Sequence, residues 1–247
     1  RSMVPVQDIP KVMRDAVVAI EDARFYKHGG VDYIGILRAA VANLRRVKSQ
    51  GASTITMQVA RNAYLSPEKS YTRKLYEMLL TYKLEQQLTK DQILEIYMNQ
   101  IYLGNRSYGF AAAAETYFGK PLQDISLAEA AMLAGLPQAP SANNPISNLP
   151  RARIRQHYIL DRMAAHHFIT QAQADEAKKE PLNIRPPVKP TTIPAEYAAE
   201  MARQLIYAQY GDETYSRGLN VHTTIQSREQ SAAYAALREG IMDYERR

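Results

Sequence analysis

Pro10-Lys11-Val12-Met13-Arg14-Asp15-Ala16-Val17-Val18-Ala19-Ile20-Glu21-Asp22-Ala23-Arg24-Phe25-Tyr26-Lys27-His28-Gly29-Gly30 is the stretch from which the rest of the chain is read. Val12, Met13, Ala16, Val17 and Ile20 recur at helical spacing, with Lys11, Arg14 and Asp15 on the other side, so Pro10 to Ile20 reads as an amphipathic helix. A core-facing helix that ends in Glu21-Asp22 aims a carboxylate at a cleft, and Gly29-Gly30 then turns the chain away. An acidic helix end of this kind is usually a solvated surface. Its chemical meaning depends on its partners further along the chain.

Working outward, Val31 to Val47 has Ile34, Leu37, Val41 and Leu44 in helical register and finishes on Arg45, Arg46 and Lys48, cations suited to a helix C-terminus. Gly51-Ala52-Ser53-Thr54 precedes another helical run with a ready N-cap, and such a terminus offers free N–H groups to an anion. Lys69 to Leu88 reads as a long helix. Thr89 and Gln92 form a capping box for the next, Asp91 to Tyr102, and the device recurs at Ser126/Glu129, Thr170/Gln173 and Ser227/Gln230. Leu103-Gly104-Asn105 turns into an alanine-rich helix, Ala111 to Tyr117, which Phe118-Gly119-Lys120-Pro121 stops. The expected fold is mainly α over residues 1–180. Five prolines between Pro181 and Pro194 make residues 181–195 an extended connector. Residues 196–247 form a short α/β tail, with a helix from Ala195 to Tyr210, a strand from Leu219 to Ile225 and a final helix. The strand has no visible partner.

Composition narrows the chemistry. At 247 residues the chain can bury a sizeable core, and it contains no cysteine, which excludes disulfides, thiol catalysis and a cysteine-ligated zinc. The net charge of +6 suggests an anionic partner, but no nucleic-acid-binding signature is present and none is expected to bind. No apolar run approaches the roughly 18–20 residues needed to span a bilayer. The chain opens at Arg1 and closes on Arg246-Arg247 inside a helical pattern, so it reads as a fragment of a longer protein. The five histidines are scattered and no His-Glu-x-x-His occurs. Ser66-Pro67-Glu68-Lys69 formally matches an acyl-transfer Ser-x-x-Lys motif, but Lys-Thr-Gly is missing, and Ser66-Pro67 suits a helix N-cap with proline at N1.

What remains is a carboxylate pair, Glu21 and Glu77, with cations around it. Four ordered motifs contain it: Glu21-Asp22-x-x-Phe25-x-x-His28-x-Gly30, Gly51-x-Ser53-Thr54-Ile55-Thr56-x-Gln58-x-x-x-Asn62, Arg73-Lys74-x-x-Glu77 and Ile93-Leu94-Glu95-x-Tyr97-x-Asn99. In order and approximate spacing they resemble the glycosyltransferase family 51 module, the peptidoglycan glycosyltransferase domain of class A penicillin-binding proteins. The segment Tyr215 to Ile225 resembles the approach to the transpeptidase domain of the 1A type. Met57 replaces the family's usual second glutamine, and Arg61 a commoner lysine; arginine keeps the charge but not the compact ammonium.

The resemblance implies a lysozyme-like helical catalytic lobe with a small membrane-facing lobe. It implies polymerisation of lipid II into glycan with inversion and release of undecaprenyl pyrophosphate. Glu21 would be the base and Glu77 would assist at the leaving group; Arg61, Arg73 and Lys74 would meet the diphosphate. Ser53, Thr54, Gln58 and Asn62 would line the donor site, while Asp22, Phe25, His28, Tyr97 and Asn99 would complete the substrate cleft. No cofactor is required, with magnesium or manganese an option at the diphosphate. The implied partners are lipid II, the growing glycan strand, the membrane surface, moenomycin-type inhibitors and a transpeptidase domain downstream. The implied location is the periplasmic face of the bacterial cytoplasmic membrane, with a tethering helix upstream of Arg1. Two alternatives use the same residues: a lysozyme-like enzyme that cleaves peptidoglycan, or a non-catalytic cell-wall scaffold.

Overall fold

Leu127–Ala134 is buried around its whole circumference, and the helical lobe is assembled about it. Beyond its first turn, Ala130 to Ala134 are all apolar, so this helix has no polar face to give to water and must be surrounded. The computed structural model describes residues 3–37, 53–64, 71–186, 193–215 and 218–246. Among these, the helices are α1 (Lys11–Glu21), α2 (Ile55–Tyr64), α3 (Tyr71–Gln87), α4 (Lys90–Gln100), α5 (Phe110–Phe118), α6 (Leu127–Ala134), α7 (Leu149–Ala165), α8 (Gln171–Lys179), α9 (Glu196–Tyr210) and α10 (Ser227–Glu245). Residues 38–47, the cations Arg45, Arg46 and Lys48, and Ser66 to Lys69 lie outside the described residues.

Two compact units divide the chain, Arg1–Pro186 and Pro187–Arg247. In the first, α1, α6 and α7 pack against one another, α2 lies on α3 and α4, and α8 lies on α7. The apolar stripe of α1 is buried as Met13, Ala16, Val17, Val18 and Ala19, with Val12 and Ile20 at its margins. Thr89/Gln92, Ser126/Glu129 and Thr170/Gln173 all form complete capping boxes. The fourth does not. Ser227 is already helical, and Gln230 instead donates to the Pro194 carbonyl at 2.9 Å.

In the second unit neither α9 nor α10 buries a residue. The expected strand Leu219–Ile225 is irregular in the structure, and Leu219, Val221 and Ile225 are all at least 36% exposed. A strand is held by its neighbour's backbone groups, and no described residue offers a ladder to this one. The sole bridge among the described residues joins Tyr102 to Tyr108 across the Gly104 turn of the first unit. No helix among the described residues is long and apolar enough to cross a membrane.

Candidate active site

Glu21 is the last residue of α1, and Asp22 breaks the helix by leaving helical geometry at φ −159° and ψ 73°. The break lets the two carboxylates part. Glu21 accepts a hydrogen bond from Gln58 Nε2 at 2.7 Å. Burial raises its pKa above the ordinary glutamate value, outweighing the Gln58 hydrogen bond and the attraction of Arg155 and Arg61, with Asp22 adding to the rise. A base that is harder to keep ionised than free glutamate is the stronger proton acceptor once it is charged.

Asp22 faces the other way and is only 7% exposed. One of its oxygens accepts from the Ile55 N–H at 3.2 Å, the opening turn of α2, and His28 Nε2 lies 2.9 and 3.0 Å from the two oxygens. Thr54 closes the same turn. Its hydroxyl donates to the Gly30 carbonyl at 2.5 Å and accepts from Met57 N–H at 3.2 Å. The side-chain groups of Asp22 and Thr54 are therefore engaged in joining the loop after α1 to the start of α2. Phe25 is wholly buried under the same loop. These contacts lead to an expected result: Asp22→Ala loses the α2 cap and leaves a buried His28 unpaired. Its urea midpoint should fall by the equivalent of about 2 kcal/mol. An unchanged midpoint would mean that the carboxylate does not hold the two segments together.

Glu77 lies on α3 and is fully buried. Lys74 Nζ is 2.6 Å from one of its oxygens and an Arg73 terminal nitrogen 3.5 Å from the other. The three sit at i, i+1 and i+4, and helical spacing brings both cations to one carboxylate. Arg61 is half-buried on α2, close enough to Glu21 to act on its titration; Ser53 is half-buried at the entry to α2, and Asn62 is exposed.

Two of the expected substrate contacts have other surroundings. Asn99 is tied to the backbone on both sides of its amide. Its oxygen accepts from Val4 N–H at 2.8 Å, and its nitrogen donates to the carbonyls of Val4 and Glu95, both at 2.9 Å. An amide that offers a donor and an acceptor at once mimics a peptide group, and here it holds the N-terminal segment onto α4. Tyr97 is 2% exposed, its hydroxyl has no hydrogen-bond partner among the described residues, and burial, with Glu21 adding to it, raises its pKa well above the usual value. It packs beneath the base, away from solvent.

One residue that bears on Glu21 gives no signal in the sequence. Arg155, on α7, acts electrostatically on Glu21; burial lowers its own pKa, while Glu21 and Tyr158 oppose the change. Its side chain fits against Gly135, where an added Cβ would come within 2.9 Å of Arg155 Cγ. Arg155 is 134 positions from Glu21 and shares α7 with Arg151, Arg153 and Arg162, and no periodicity distinguishes it from them.

The transglycosylase family matches residues 1–164. The chain belongs to the transglycosylase family. It is a transglycosylase, the class that its motifs resemble. Among relatives of this transglycosylase, penicillin-binding protein 1A of Neisseria lactamica is 53% identical over all 247 residues, and that of Neisseria gonorrhoeae 52%. The chain spans 31% of the length of each. A putative transglycosylase of Cupriavidus necator is 64% identical over 182 residues, which cover 74% of this chain and 79% of that protein. The crystal structure of penicillin-binding protein 1A from Haemophilus influenzae matches 99% of this chain and 27% of its own, with a TM-score of 0.59 and 30% identity.

Proposed function

We propose that the first unit of this transglycosylase polymerises lipid II, with Glu21 as the base and the cations beside Glu77 as the seat of the diphosphate. The observation that supports this most directly is the division of labour between α1 and α3. A carboxylate with a raised pKa ends α1, while a separate carboxylate on α3 is boxed in by Lys74 and Arg73. Glu21 takes the proton from the 4-hydroxyl of one saccharide as its oxygen bonds to the anomeric carbon of the other. The carbon–oxygen bond to the diphosphate breaks, the electron pair leaves with undecaprenyl pyrophosphate, and the configuration inverts. Positive charge on Arg61, Arg73 and Lys74 favours the leaving diphosphate, and Arg155 helps to keep Glu21 in its ionised form.

A dedicated divalent-metal site does not fit these residues. Glu77 already has both oxygens beside cations, and among the described residues no three acidic or histidine side chains converge. Lys74 and Arg73 already stand beside Glu77, placed to take the charge of the leaving group.

A lipid-tailed substrate requires a bilayer within reach. Ile34, Leu37, Leu75, Tyr76 and Leu79 are all more than 55% exposed, and the hydroxyls of Tyr33 and Tyr82 pair between their two segments. We assign this apolar surface to the membrane, on the periplasmic face of the cytoplasmic membrane. A longer protein would supply the anchor and the transpeptidase domain.

Labelled lipid II provides the test. Long glycan strands support the reading, whereas no product, or shortened strands from preformed glycan, would overturn it. The diphosphate assignment has its own check: Arg73→Gln with Lys74→Gln should weaken binding of lipid II and of moenomycin-type phosphoglycolipids together, by about tenfold or more. Added salt should weaken both in the parent chain as well. Affinity for both ligands at the parent level would place the diphosphate elsewhere.

A further inference from the structure

Glu85 and Lys90 belong to none of the motifs that define the site, yet they join its parts. Glu77, Thr81 and Glu85 succeed one another at i, i+4 and i+8 along one face of α3. The loop that leaves Glu21 lies on this face. Gly30 has φ +92°, and an added Cβ there would come within 2.6 Å of Thr81 Cγ2 and 3.0 Å of Glu85 Cγ, so glycine is needed both for the backbone and for the close approach. From α2, Thr56 donates its hydroxyl to Glu85 Oε1 at 2.5 Å. From the first turn of α4, Lys90 Nζ donates to the same oxygen at 2.7 Å. The Lys90 ammonium also sits 4.5 Å from the centroid of the Phe25 ring, which is buried in the Glu21 loop. Glu85 and Lys90 are 12% and 20% exposed, so solvent screens the pair only in part.

We propose that Glu85 and Lys90 are positioning residues that set the spacing between the two carboxylates, Glu21 on α1 and Glu77 on α3. Glu85 is the meeting point. It receives one hydrogen bond from α2, which holds Glu21 through Gln58, and another from α4, whose lysine rests on the ring of the Glu21 loop. Because Glu85 is on the same helix as Glu77, whatever moves Thr56 or Phe25 relative to Glu85 moves one carboxylate relative to the other. The latch lies at the edge of the buried core, beside Phe25 and Leu84, which belong to the same cluster as the buried residues of α1, α6 and α7. Melting temperature therefore has to be followed beside rate, so that a change in cleft geometry is told from a loss of cohesion. The inference rests on the proposed glycosyl transfer.

The test compares the 247-residue chain with Glu85→Gln, Lys90→Met, the double variant and Lys90→Arg in lipid II polymerisation, with melting temperature and helicity measured alongside. A misplacement of about 1 Å can cost about 10²-fold in rate. Glu85→Gln and Lys90→Met should each lower kcat by about tenfold or more, with KM within about twofold. The double variant should be no worse than the poorer single, because both remove the same link. Lys90→Arg, which keeps the charge on the ring and the carboxylate, should recover most of the rate. Parent-level kcat in well-folded Glu85→Gln and Lys90→Met would overturn the proposal, as would losses that multiply in the double variant or a Lys90→Arg as slow as Lys90→Met. Should the charge variants fail to fold, Thr56→Val decides: it removes one donor, and a parent-level kcat there is fatal to the latch. An inactive parent chain would instead bring down the glycosyl-transfer reading, and the latch with it.

Discussion

Glu21→Gln should lower glycan polymerisation by at least about 10²-fold while the lobe stays folded. The glutamine side chain has almost the same shape, and its carbonyl oxygen can still accept from Gln58, so the neighbourhood survives the exchange. What it loses is the charged, basic oxygen that takes the proton. The same substitution should raise stability at neutral pH, and the direction comes from the titration of the group. Burial raises the folded-state pKa of Glu21 above its unfolded value near 4.5. The folded chain then binds the proton more tightly than the unfolded chain, and stability falls as pH rises from the unfolded pKa through the folded one. Above that window the ionised carboxylate is a standing cost that glutamine removes. A slow enzyme with a higher melting temperature at pH 7 is the expected pairing, typical of a residue kept for chemistry against stability. Near-parent turnover in a folded Glu21→Gln would remove it from the role of base. For the parent, the acidic limb of kcat/KM should lie above the range of an exposed glutamate, since activity needs the charged form.

Glu77→Gln should also be severe, on the order of 10² to 10³-fold, the usual consequence of removing one preorganised electrostatic group from a transition-state site. Here the cause differs from that at Glu21. Glu77 is fully buried and keeps Lys74 and Arg73 pointed at one place; an amide leaves two cations facing each other across a neutral group. Breaking a buried pair from one side costs about 3–5 kcal/mol, reduced here because the Lys74 side chain is 44% exposed. Rate and melting temperature should therefore fall together, opposite to the pattern at Glu21. A Glu77→Gln chain that polymerises at the parent rate would show that the α3 carboxylate is dispensable for the chemistry.

How much of the molecule is legible in its sequence depends on whether the cause is local. Helices α1, α4, α6 and α8 can be read because their apolar spacing and three of their caps involve residues within a few positions of each other. The Ser227/Gln230 pattern fails because Ser227 already lies inside the helix, and the Gln230 amide donates to the carbonyl of Pro194, 36 positions away. Arg73, Lys74 and Glu77 can be grouped because one helical turn joins them. The bonds from Asn99 to the backbone of Val4 are not legible, because a family motif reports that a residue matters and not what it touches. Arg155, Glu85 and Lys90 give no signal in the chain; tertiary packing alone brings each to the site. Leu219 to Ile225 has the composition of a strand but lacks a neighbour among the described residues, and composition cannot supply one.

Burial of α6 also sets how the lobe breathes. Its amides are enclosed by α1 and α7, so they should exchange with solvent only when the lobe opens globally. Glu21 ends a helix docked on that slow-exchanging body. Glu77 rides on α3, which leaves Leu75, Tyr76 and Leu79 exposed on its outer side and should exchange faster. The two carboxylates thus sit on opposite sides of a gradient in local stability: Glu21 on the wall that should exchange slowly, Glu77 on the wall that should exchange faster.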